Sequence, residues 1–290
     1  MRNVLGVIGG SGLYDIDGLS RVERVPVDTP FGPPSDDVVR GFFGETAMLF
    51  LPRHGQGHRI PPHQINFRAN VCALKKLGAT HLVSISAVGS MKEAILPGDF
   101  VVVDQFIDLT KRRVSTFFED GIVGHVGFAD PVCETMSDAL ATAAGRAGAR
   151  VHRGGTYVCI EGPQFSTRAE SMVYRSWGVS VIGMTSMPEA KLAREAELPF
   201  ATLALSTDYD CWHATEEVVT VEAVLAVMKK NVVAARRTVA ELAAALPDPA
   251  TSAATKALAN GAAIMTAQDR IPPAALSRLE WLLARHTEAK

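Results

Sequence analysis

Short apolar runs typical of buried β-strands alternate along this chain with longer segments of helical periodicity. The strand-like runs are Val4–Ile8, Ala47–Leu51, His81–Ser86, Phe100–Val103, Tyr157–Ile160, Val179–Met184 and Ala201–Ser206. The helical patterns cover Ile65–Leu77, Cys133–Ala147, Arg168–Trp177, Pro188–Ala196 and Val221–Ala245. Such alternation is typical of α/β proteins. We therefore predict a central sheet with helices outside it.

Local signals support two of the helix starts. Thr167 and Glu170 form a capping-box pattern, in which each side chain satisfies a backbone N–H at the beginning of a helix. Pro188 suits the first turn of the next helix, where its missing N–H costs nothing.

Two stretches break the alternation. Asp108–Gly127 is polar and irregular, and Pro247–Asn260 is rich in Ala, Thr and Pro, so we expect both to be mobile. A last helix is predicted near Pro273–His286. We assign residues 1–246 to one domain and residues 247–290 to a linker and C-terminal helical appendage of the same domain.

Composition excludes several classes of protein. The chain has 290 residues, 47% of them apolar, and a net charge of −2 with no basic stripe for nucleic acid. Its four cysteines are far apart and form no C-x-x-C pair, which argues against disulfides and a zinc site. The N-terminus does not resemble a signal peptide, and no segment approaches the ~20 apolar residues of a membrane span. We expect a soluble, cytoplasmic protein that binds neither nucleic acid nor membrane.

A glycine-rich segment, Gly9-Gly10-Ser11-Gly12-Leu13, follows the first predicted strand. Glycines allow backbone N–H groups to converge on an anion, and the Ser11 hydroxyl adds a donor. The spacing fits neither the dinucleotide fingerprint nor the Walker loop. By itself the segment is equally compatible with a tight strand–helix turn.

Two more predicted strands end in groups that can bind an anion. Arg53 and His54 follow the second strand, and an arginine fork matches phosphate oxygens. Residues 84–90, Ser-Ile-Ser-Ala-Val-Gly-Ser, close the third. Ligands of open α/β sheets bind at the carboxyl ends of strands. His54, His58 and His63 could suggest a metal, but Pro61-Pro62 breaks their spacing and no carboxylate or cysteine lies among them.

Three later segments have the same character, namely Glu161–Ser166, Gly183–Glu189 and Ser206–Trp212. In the last one, Asp208 and Asp210 are two residues apart at a predicted strand end, so their side chains can point the same way. A solvated turn is the alternative. The two carboxyls lie too close together to flank a scissile glycosidic bond as a separated pair, and they fit recognition of a base better.

Taken in order, these segments resemble the trimeric nucleoside phosphorylases, and within them the branch that cleaves methylthioadenosine. The resemblance covers residues 4–240, and the C-terminal residues match only loosely. It rests on Ile8–Leu13, Asp28–Gly32, Pro52–Gly55, Asn66, Asn70, Ala87–Ser90, Pro97–Asp99, Asp104–Asp108, Ile160–Ser166, Arg168–Glu170, Met184–Thr185, Pro188–Glu189 and Thr207–Trp212.

The resemblance implies a single-domain, three-layer α/β fold with a central mixed sheet flanked by helices. It also implies a closed homotrimer, in which residues 124–129 with His125 reach into the 5'-pocket of a neighbouring subunit. The phosphate ligands it implies are Ser11, Arg53, His54, Ser86, Ala87 through its amide, and Thr185. The family usually carries Thr where Ser11 and Ser86 stand, and Ser keeps the hydroxyl donor.

Further residues are implied to bind the nucleoside. Met184 would lie under the ribose, while Phe165, Val221, Val224 and Leu225 would line the pocket for the base and the 5'-substituent. From their chemistry alone, these apolar side chains would be assigned to core packing.

The implied reaction is displacement at the anomeric carbon by inorganic phosphate, a co-substrate, with no metal or organic cofactor. Asp208 would protonate the departing purine at N7, and Asp210 would accept a hydrogen bond from the 6-amino group. Asp208, Ser166 and Val221 stand where relatives that prefer 6-oxopurines carry Asn, Glu and His. This favours an adenine base and a 5'-alkylthio group.

The expected activity is therefore reversible phosphorolysis of S-methyl-5'-thioadenosine to adenine and 5-methylthioribose 1-phosphate, in purine and methionine salvage. The alternative within the family is a purine nucleoside or methylthioinosine phosphorylase that acts on 6-oxopurines. A catalytically silent nucleotide-binding module is the rival from another class, and the intact phosphate set argues against it.

Overall fold

The computed structural model describes residues 3–10, 12, 13, 15–213, 221–259 and 263–287; within these ranges, the side chains of residues 221–226, 285 and 287 are not described. The strands are β1 (Val4–Gly9), β2 (Ser20–Val25), β3 (Val38–Phe43), β4 (Thr46–Pro52), β5 (His81–Ser90), β6 (Phe100–Val103), β7 (Gln105–Asp108), β8 (Val151–Arg153), β9 (Thr156–Cys159), β10 (Val181–Gly183) and β11 (Phe200–Asp208). The helices are α1 (Phe67–Lys76), α2 (Glu134–Arg146), α3 (Arg168–Ser176), α4 (Ser186–Glu195), α5 (Val221–Ala244) and α6 (Pro273–Thr287). No helix in these ranges is long and apolar enough to cross a membrane.

All strands of the described ranges join one mixed sheet, in which β5 is the branching strand. β5 pairs in parallel with β1 on one side and with β11 on the other, and its last two residues pair antiparallel with β10. β4 lies parallel to β1. The carboxyl ends of β1, β4, β5 and β11 therefore meet at one edge, where ligands of such sheets bind.

Two apolar cores cover the two faces of the sheet. One packs α1, α4 and α6 against it, around Leu74, Ala190 and Leu279. The other packs α2 and α5, around Leu140 and Val239. Burial of apolar area on both faces is the main favourable term in forming the three layers. The predicted three-layer α/β fold is confirmed.

The predicted helices begin and end within two residues of the observed ones. The capping box is present, because the Thr167 hydroxyl accepts from the N–H of Glu170 and the Glu170 carboxylate accepts from Thr167. α4 is assigned from Ser186, but Met187 and Pro188 have non-helical backbone angles, so Pro188 stands at a kink in its first turn. β2, β3, β7 and β8 were not predicted. β2 is mostly exposed and polar, and β8 has three residues, so neither has an apolar pattern to detect.

The two stretches expected to be mobile are anchored to the protein. In the first, Phe117, Phe118 and Ile122 are buried in the core that covers α1. Phe117 contacts Trp281 of α6 edge-on, with ring centroids 5.1 Å apart. In the second stretch, Leu258 is fully buried. These side chains are buried because the irregular backbone lies between the sheet layers and the C-terminal helix, which no local pattern indicates.

Candidate active site

The first two anion-binding motifs are brought together by the pairing of β1 with β4. Gly9 ends β1 opposite Pro52 of β4, and the N–H of Arg53 donates to the carbonyl of Gly9 at 2.9 Å. Ser11 lies outside the described residues. The carbonyl of the next residue, Gly12, accepts from Nε of Arg236 on α5 at 2.8 Å. Helix α5 therefore holds the glycine-rich turn against the end of the sheet.

Arg53 is buried and held by five acceptors. Nε donates to Oε1 of Glu189 at 2.5 Å and Nη2 donates to Oε2 at 3.0 Å, a bidentate pair. Nη2 also donates to the carbonyl of Ile8 and to Oγ of Ser84, and Nη1 donates to the carbonyl of Ile85. Among the described residues, this leaves one Nη1 hydrogen for a ligand. Glu189 has no role in the sequence-based assignment, although its carboxylate fixes the guanidinium at the strand ends.

His54 is partly buried beside Arg53. Its Nδ1 lies 2.9 Å from the carbonyl oxygen of Ile60, and its ring stacks on His58 with centroids 4.2 Å apart. Burial first, and then the positive charge of Arg53, lower the pKa of His54 to about 4. The imidazole is therefore neutral at pH 7.

Four buried hydroxyls, from β5, β9 and the start of α4, form a second part of the site. Those of Ser86, Thr185 and Ser186 lie around the phenol of Tyr157, and none of the four has another hydrogen-bond partner in the described part of the chain. Burial raises the pKa of this phenol, and the three neighbouring hydroxyls act in the opposite direction. Gly183 makes room for this phenol, since a Cβ there would lie 2.0 Å from its oxygen. Buried hydroxyls without partners are costly, and an oxyanion that accepts from them would remove the cost. Ala87 lies next to Ser86 in β5 and is exposed.

Asp208 and Asp210 both lie close to Gly89 of β5. A Cβ on Gly89 would lie 3.1 Å from Oδ1 of Asp208 and 3.2 Å from Cβ of Asp210, closer than an ordinary van der Waals contact, so any larger residue would push against both acids. Asp208 ends β11, but Asp210 already begins a short 3-10 helix and has φ +54°. The two carboxyls are therefore brought together by this turn and not by the alternation of a strand.

The hydrogen bonds of the two carboxyls differ. Asp208 accepts from the backbone N–H of Asp210 at 2.8 Å and from the hydroxyl of Thr207 at 2.7 Å. Asp210 accepts from the Ser171 hydroxyl of α3 at 2.5 Å. Burial raises the pKa of Asp210, and the bond from Ser171 opposes this only in part. That Asp208 protonates N7 of the purine stays a prediction.

Only some of the residues predicted to contact the nucleoside lie near the two acids and the buried hydroxyls. Met184 lies against Gly162, where a Cβ would be 2.5 Å from its sulfur. The Ser166 carbonyl accepts from the Cys211 thiol beside Asp210, at 3.5 Å, whereas Phe165 is 71% exposed. His125 is exposed, and its N–H donates to the carbonyl of Ala263. The side chains of Val221, Val224 and Leu225 lie outside the described residues.

Arg113 is a buried charged residue that the sequence pattern does not single out, because it lies in the irregular stretch. Its side chain is 1% exposed and pairs with Glu161 at 3.0 Å. It also donates to the carbonyl of Met187 at 2.6 Å and to that of Glu161 at 2.8 Å. Arg113 therefore ties the segment that contains Glu161 to the start of α4. Only its position before the aromatic pair Phe117-Phe118 could have suggested that it is anchored.

The chain is similar in sequence and in fold to known phosphorylases. A sequence model of the phosphorylase superfamily matches residues 4–244. The S-methyl-5'-thioadenosine phosphorylase of Geobacter sulfurreducens is 58% identical over 237 residues, which are 81% of this chain and 83% of that protein. A crystal structure of a methylthioadenosine phosphorylase from an Antarctic soil metagenomic library superimposes with a TM-score of 0.91 at 46% identity, covering 97% of this chain and 99% of that one. The Schistosoma mansoni methylthioadenosine phosphorylase in complex with adenine gives a TM-score of 0.84 at 41% identity, covering 92% and 99%.

Proposed function

The chain belongs to the phosphorylase superfamily, and from this premise we propose that it catalyses the reversible phosphorolysis of S-methyl-5'-thioadenosine to adenine and 5-methylthioribose 1-phosphate. It is thus a pentosyltransferase. One structural observation carries the proposal. Buried hydroxyls of Ser86 and Thr185, which have no partner in the described residues besides the Tyr157 phenol, lie near the free Nη1 hydrogen of Arg53, which donates its other hydrogen to the neighbouring Ile85 carbonyl; together these donors form a site for an oxyanion.

The two carboxyls fit the other half of the substrate. Gly89, which both Asp208 and Asp210 approach, is three residues beyond Ser86 in β5, a distance of about 10 Å along an extended strand. A nucleoside spans such a distance between the phosphate that attacks its sugar and the far edge of its base. Asp208 and Asp210 are therefore suited to read the purine while phosphate binds at the hydroxyls.

The chemistry follows from this arrangement. A phosphate oxygen attacks the anomeric carbon as the bond to the purine nitrogen breaks, and positive charge develops on the sugar. The phosphate anion stabilises that charge by its position. The purine leaves more easily when N7 is protonated, which we assign to Asp208, with Asp210 at the 6-amino group.

A substrate panel tests the proposal. Methylthioadenosine, adenosine, inosine and methylthioinosine are each incubated with the enzyme, with and without phosphate, and base release is measured. We expect phosphate-dependent release of adenine, fastest from methylthioadenosine. Faster release of hypoxanthine would favour the 6-oxopurine alternative, and no phosphate-dependent release from any nucleoside would refute phosphorolysis.

The same proposal includes a closed homotrimer in the cytoplasm, acting in purine and methionine salvage. Four large apolar side chains between residues 165 and 177 support an assembly, because they are about half or more exposed in one protomer: Phe165, Met172, Val173 and Trp177. His125 is also exposed, as a residue that completes a neighbouring site would be. Light scattering on the active enzyme tests the trimer, and a monomer with full activity would refute it.

A further inference from the structure

One face of helix α3 holds the turn of residues 210–212. Arg168, Ser171 and Arg175 are spaced by three and four residues, so their side chains lie on the same side of the helix. Nη1 of Arg168 donates to a backbone carbonyl of the turn at 2.6 Å, and the guanidinium of Arg175 lies 3.8 Å from the centre of its tryptophan ring. Between these two contacts, the Ser171 hydroxyl donates to Oδ2 of Asp210 at 2.5 Å. The helix therefore contacts the turn at three points, of which only Ser171 reaches a carboxyl group.

Packing alone does not require the hydroxyl of Ser171. Of the nine residues of α3, all of which lie in the described ranges, only Ser171 is buried. An alanine would fill almost the same space and would favour the helix more strongly. A buried hydroxyl costs free energy unless it is bonded, and its partner here is Asp210, which has φ +54°, a conformation that few residues other than glycine adopt. The pair is therefore better explained by the chemistry of the carboxyl than by stability.

The Ser171 hydroxyl acts on the charge of Asp210. Burial raises the pKa of Asp210, and the bond from Ser171 is the strongest opposing effect, followed by that from the Cys211 N–H. A serine has one hydrogen to donate, and a hydrogen bond to the charged form of an acid favours that form. The bond therefore stabilises the carboxylate and fixes the direction of its Oδ2. The other charged or titratable groups around the turn are Asp208, Arg168, Tyr174, Arg175, the Cys211 thiol and the pair of Glu93 with His213.

The ionisation of Asp210 determines which purine edge it can bind. A carboxylate only accepts hydrogen bonds, so it suits the 6-amino group of adenine and conflicts with the oxygen of a 6-oxopurine. A protonated carboxyl could instead donate to that oxygen. A site whose polar group does not match the substrate discriminates strongly against it. A residue that keeps Asp210 ionised would therefore favour adenine.

We propose that Ser171 is a positioning residue, which holds Asp210 ionised and oriented and thereby sets the preference for a 6-amino over a 6-oxo purine. The inference rests on the proposed function, which places Asp210 at the 6-amino group. Ser171 acts on the base only through this carboxylate. Its removal should therefore change which base is preferred and how the rate depends on pH, and not only the rate itself.

Ser171→Ala tests the inference, because it removes the hydroxyl and keeps a strong helix former in α3. kcat/KM is measured for methylthioadenosine and methylthioinosine between about pH 5 and pH 8. At about pH 6 we expect the ratio of the first to the second to fall at least about tenfold, as for loss of a hydrogen bond to a charged group. Removing the donor raises the pKa of Asp210. The decline of methylthioadenosine cleavage on acidification should therefore begin at a higher pH than in the native enzyme.

Two further variants provide a control and a graded comparison. Ser137 is also a fully buried serine in a helix, but its helix lies at the other end of β11 from Asp208, where the N–H of Cys133 bonds to the carbonyl of Phe200. Ser137→Ala should therefore keep the native ratio and pH profile. Ser171→Cys has nearly the size of serine and a weaker donor, so its ratio and profile should lie between those of the alanine variant and the native enzyme. It gives the same comparison if the alanine variant does not fold.

The outcomes separate this inference from the proposed function. A native ratio and pH profile in the Ser171 variants would overturn the inference. An equal loss for both nucleosides with an unchanged pH profile would overturn it as well, because it would show that the hydroxyl only supports the fold. Both results leave phosphorolysis intact, provided that the native enzyme releases adenine only with phosphate. If the native enzyme releases no adenine in the presence of phosphate, the proposed function itself is wrong.

Discussion

Among single residues, Arg53 both neutralises the buried carboxylate of Glu189 and offers a donor to the anion site, so its mutation should lower stability as well as phosphate use. Its side chain and that of Glu189 are almost completely inaccessible, at 2% and 0% exposure. Arg53→Ala therefore leaves a buried carboxylate unpaired, and we expect the free energy of unfolding to fall by about 3–5 kcal/mol. Denaturant unfolding measures this. A variant as stable as the native enzyme would show that Glu189 does not depend on Arg53.

The matched control for that prediction separates stability from phosphate use. In the double variant Arg53→Ala with Glu189→Gln, no charge is left unpaired, so much of the stability should return while the apparent phosphate affinity stays low. A double variant that also regained phosphate affinity would remove Arg53 from the anion site. The pair illustrates why sequence alone could not give the full role of Arg53, since its partner is 136 residues away.

Under the proposed function, Asp208 determines whether the enzyme prefers adenine or a 6-oxopurine as the base. Asp208→Asn keeps the shape of the side chain but cannot protonate N7, and it resembles the arrangement in relatives that prefer 6-oxopurines. We expect the variant to lose kcat/KM for methylthioadenosine more than for methylthioinosine. The loss should be smaller than the roughly 10⁴-fold of the strongest polar discriminations, because Ser166 is unchanged. If the ratio of the two efficiencies is unchanged or rises, Asp208 is not the residue that reads and protonates the base.

Among the structural elements, the irregular segment before α2 depends on one buried acid of α4. Glu195 accepts from the Thr116 hydroxyl and from the Phe117 N–H, each at 2.7 Å. Burial raises the pKa of Glu195 to about 7, so the folded state holds this proton where the unfolded chain has lost it. Its contribution to stability is therefore complete below the unfolded pKa and is lost as the pH rises through about 7.

Glu195→Gln should remove this pH dependence, because the amide can donate to Thr116 and accept from Phe117 as the protonated acid does. We expect the two proteins to be equally stable at about pH 4, and the variant to be more stable by about 3 kcal/mol at about pH 8. Unfolding free energies at the two pH values give the comparison. A constant difference between the proteins would mean that Glu195 does not titrate near neutrality.

Strands whose residues are mostly buried and apolar could be predicted from the sequence, whereas exposed or very short strands could not. β1, β4, β5 and β11 are apolar runs that end in glycines, hydroxyls or charges, and their ends form the site. The acids were found, but not the turn that joins them, because positive φ at a non-glycine residue leaves no sequence pattern. Contacts between segments that are distant in the sequence, such as that between Arg113 and Glu161, could not be predicted either.

At the scale of the whole molecule, the C-terminal appendage belongs to the main core. Leu279 and Leu282 of α6 are buried with side chains of α1 and α4. Glu197, after α4, accepts from the N–H of Leu258 at 3.0 Å and pairs with His286 at 2.9 Å. The N–H of His125 donates to the carbonyl of Ala263 and the N–H of Met265 donates to the carbonyl of Val123, so residues 123–125 pair with residues 263–265 near the start of the C-terminal helix region. The C-terminal residues thus hold the segment that contains His125.

Two leucines of α6, three residues apart, test whether the appendage folds as one unit with the sheet. Leu279 is 0% exposed and Leu276 is 40% exposed, so the same substitution removes a core side chain at one position and a surface one at the other. Leu279→Ala should cost about 2–5 kcal/mol and Leu276→Ala no more than about 0.5 kcal/mol. Both should unfold in one transition, because the buried leucine belongs to the core that covers the sheet. Circular dichroism against denaturant measures both quantities. If Leu279→Ala instead produces an early, separate transition of α6 while the sheet keeps its native midpoint, residues 247–290 are an independent unit and their packing does not stabilise the domain.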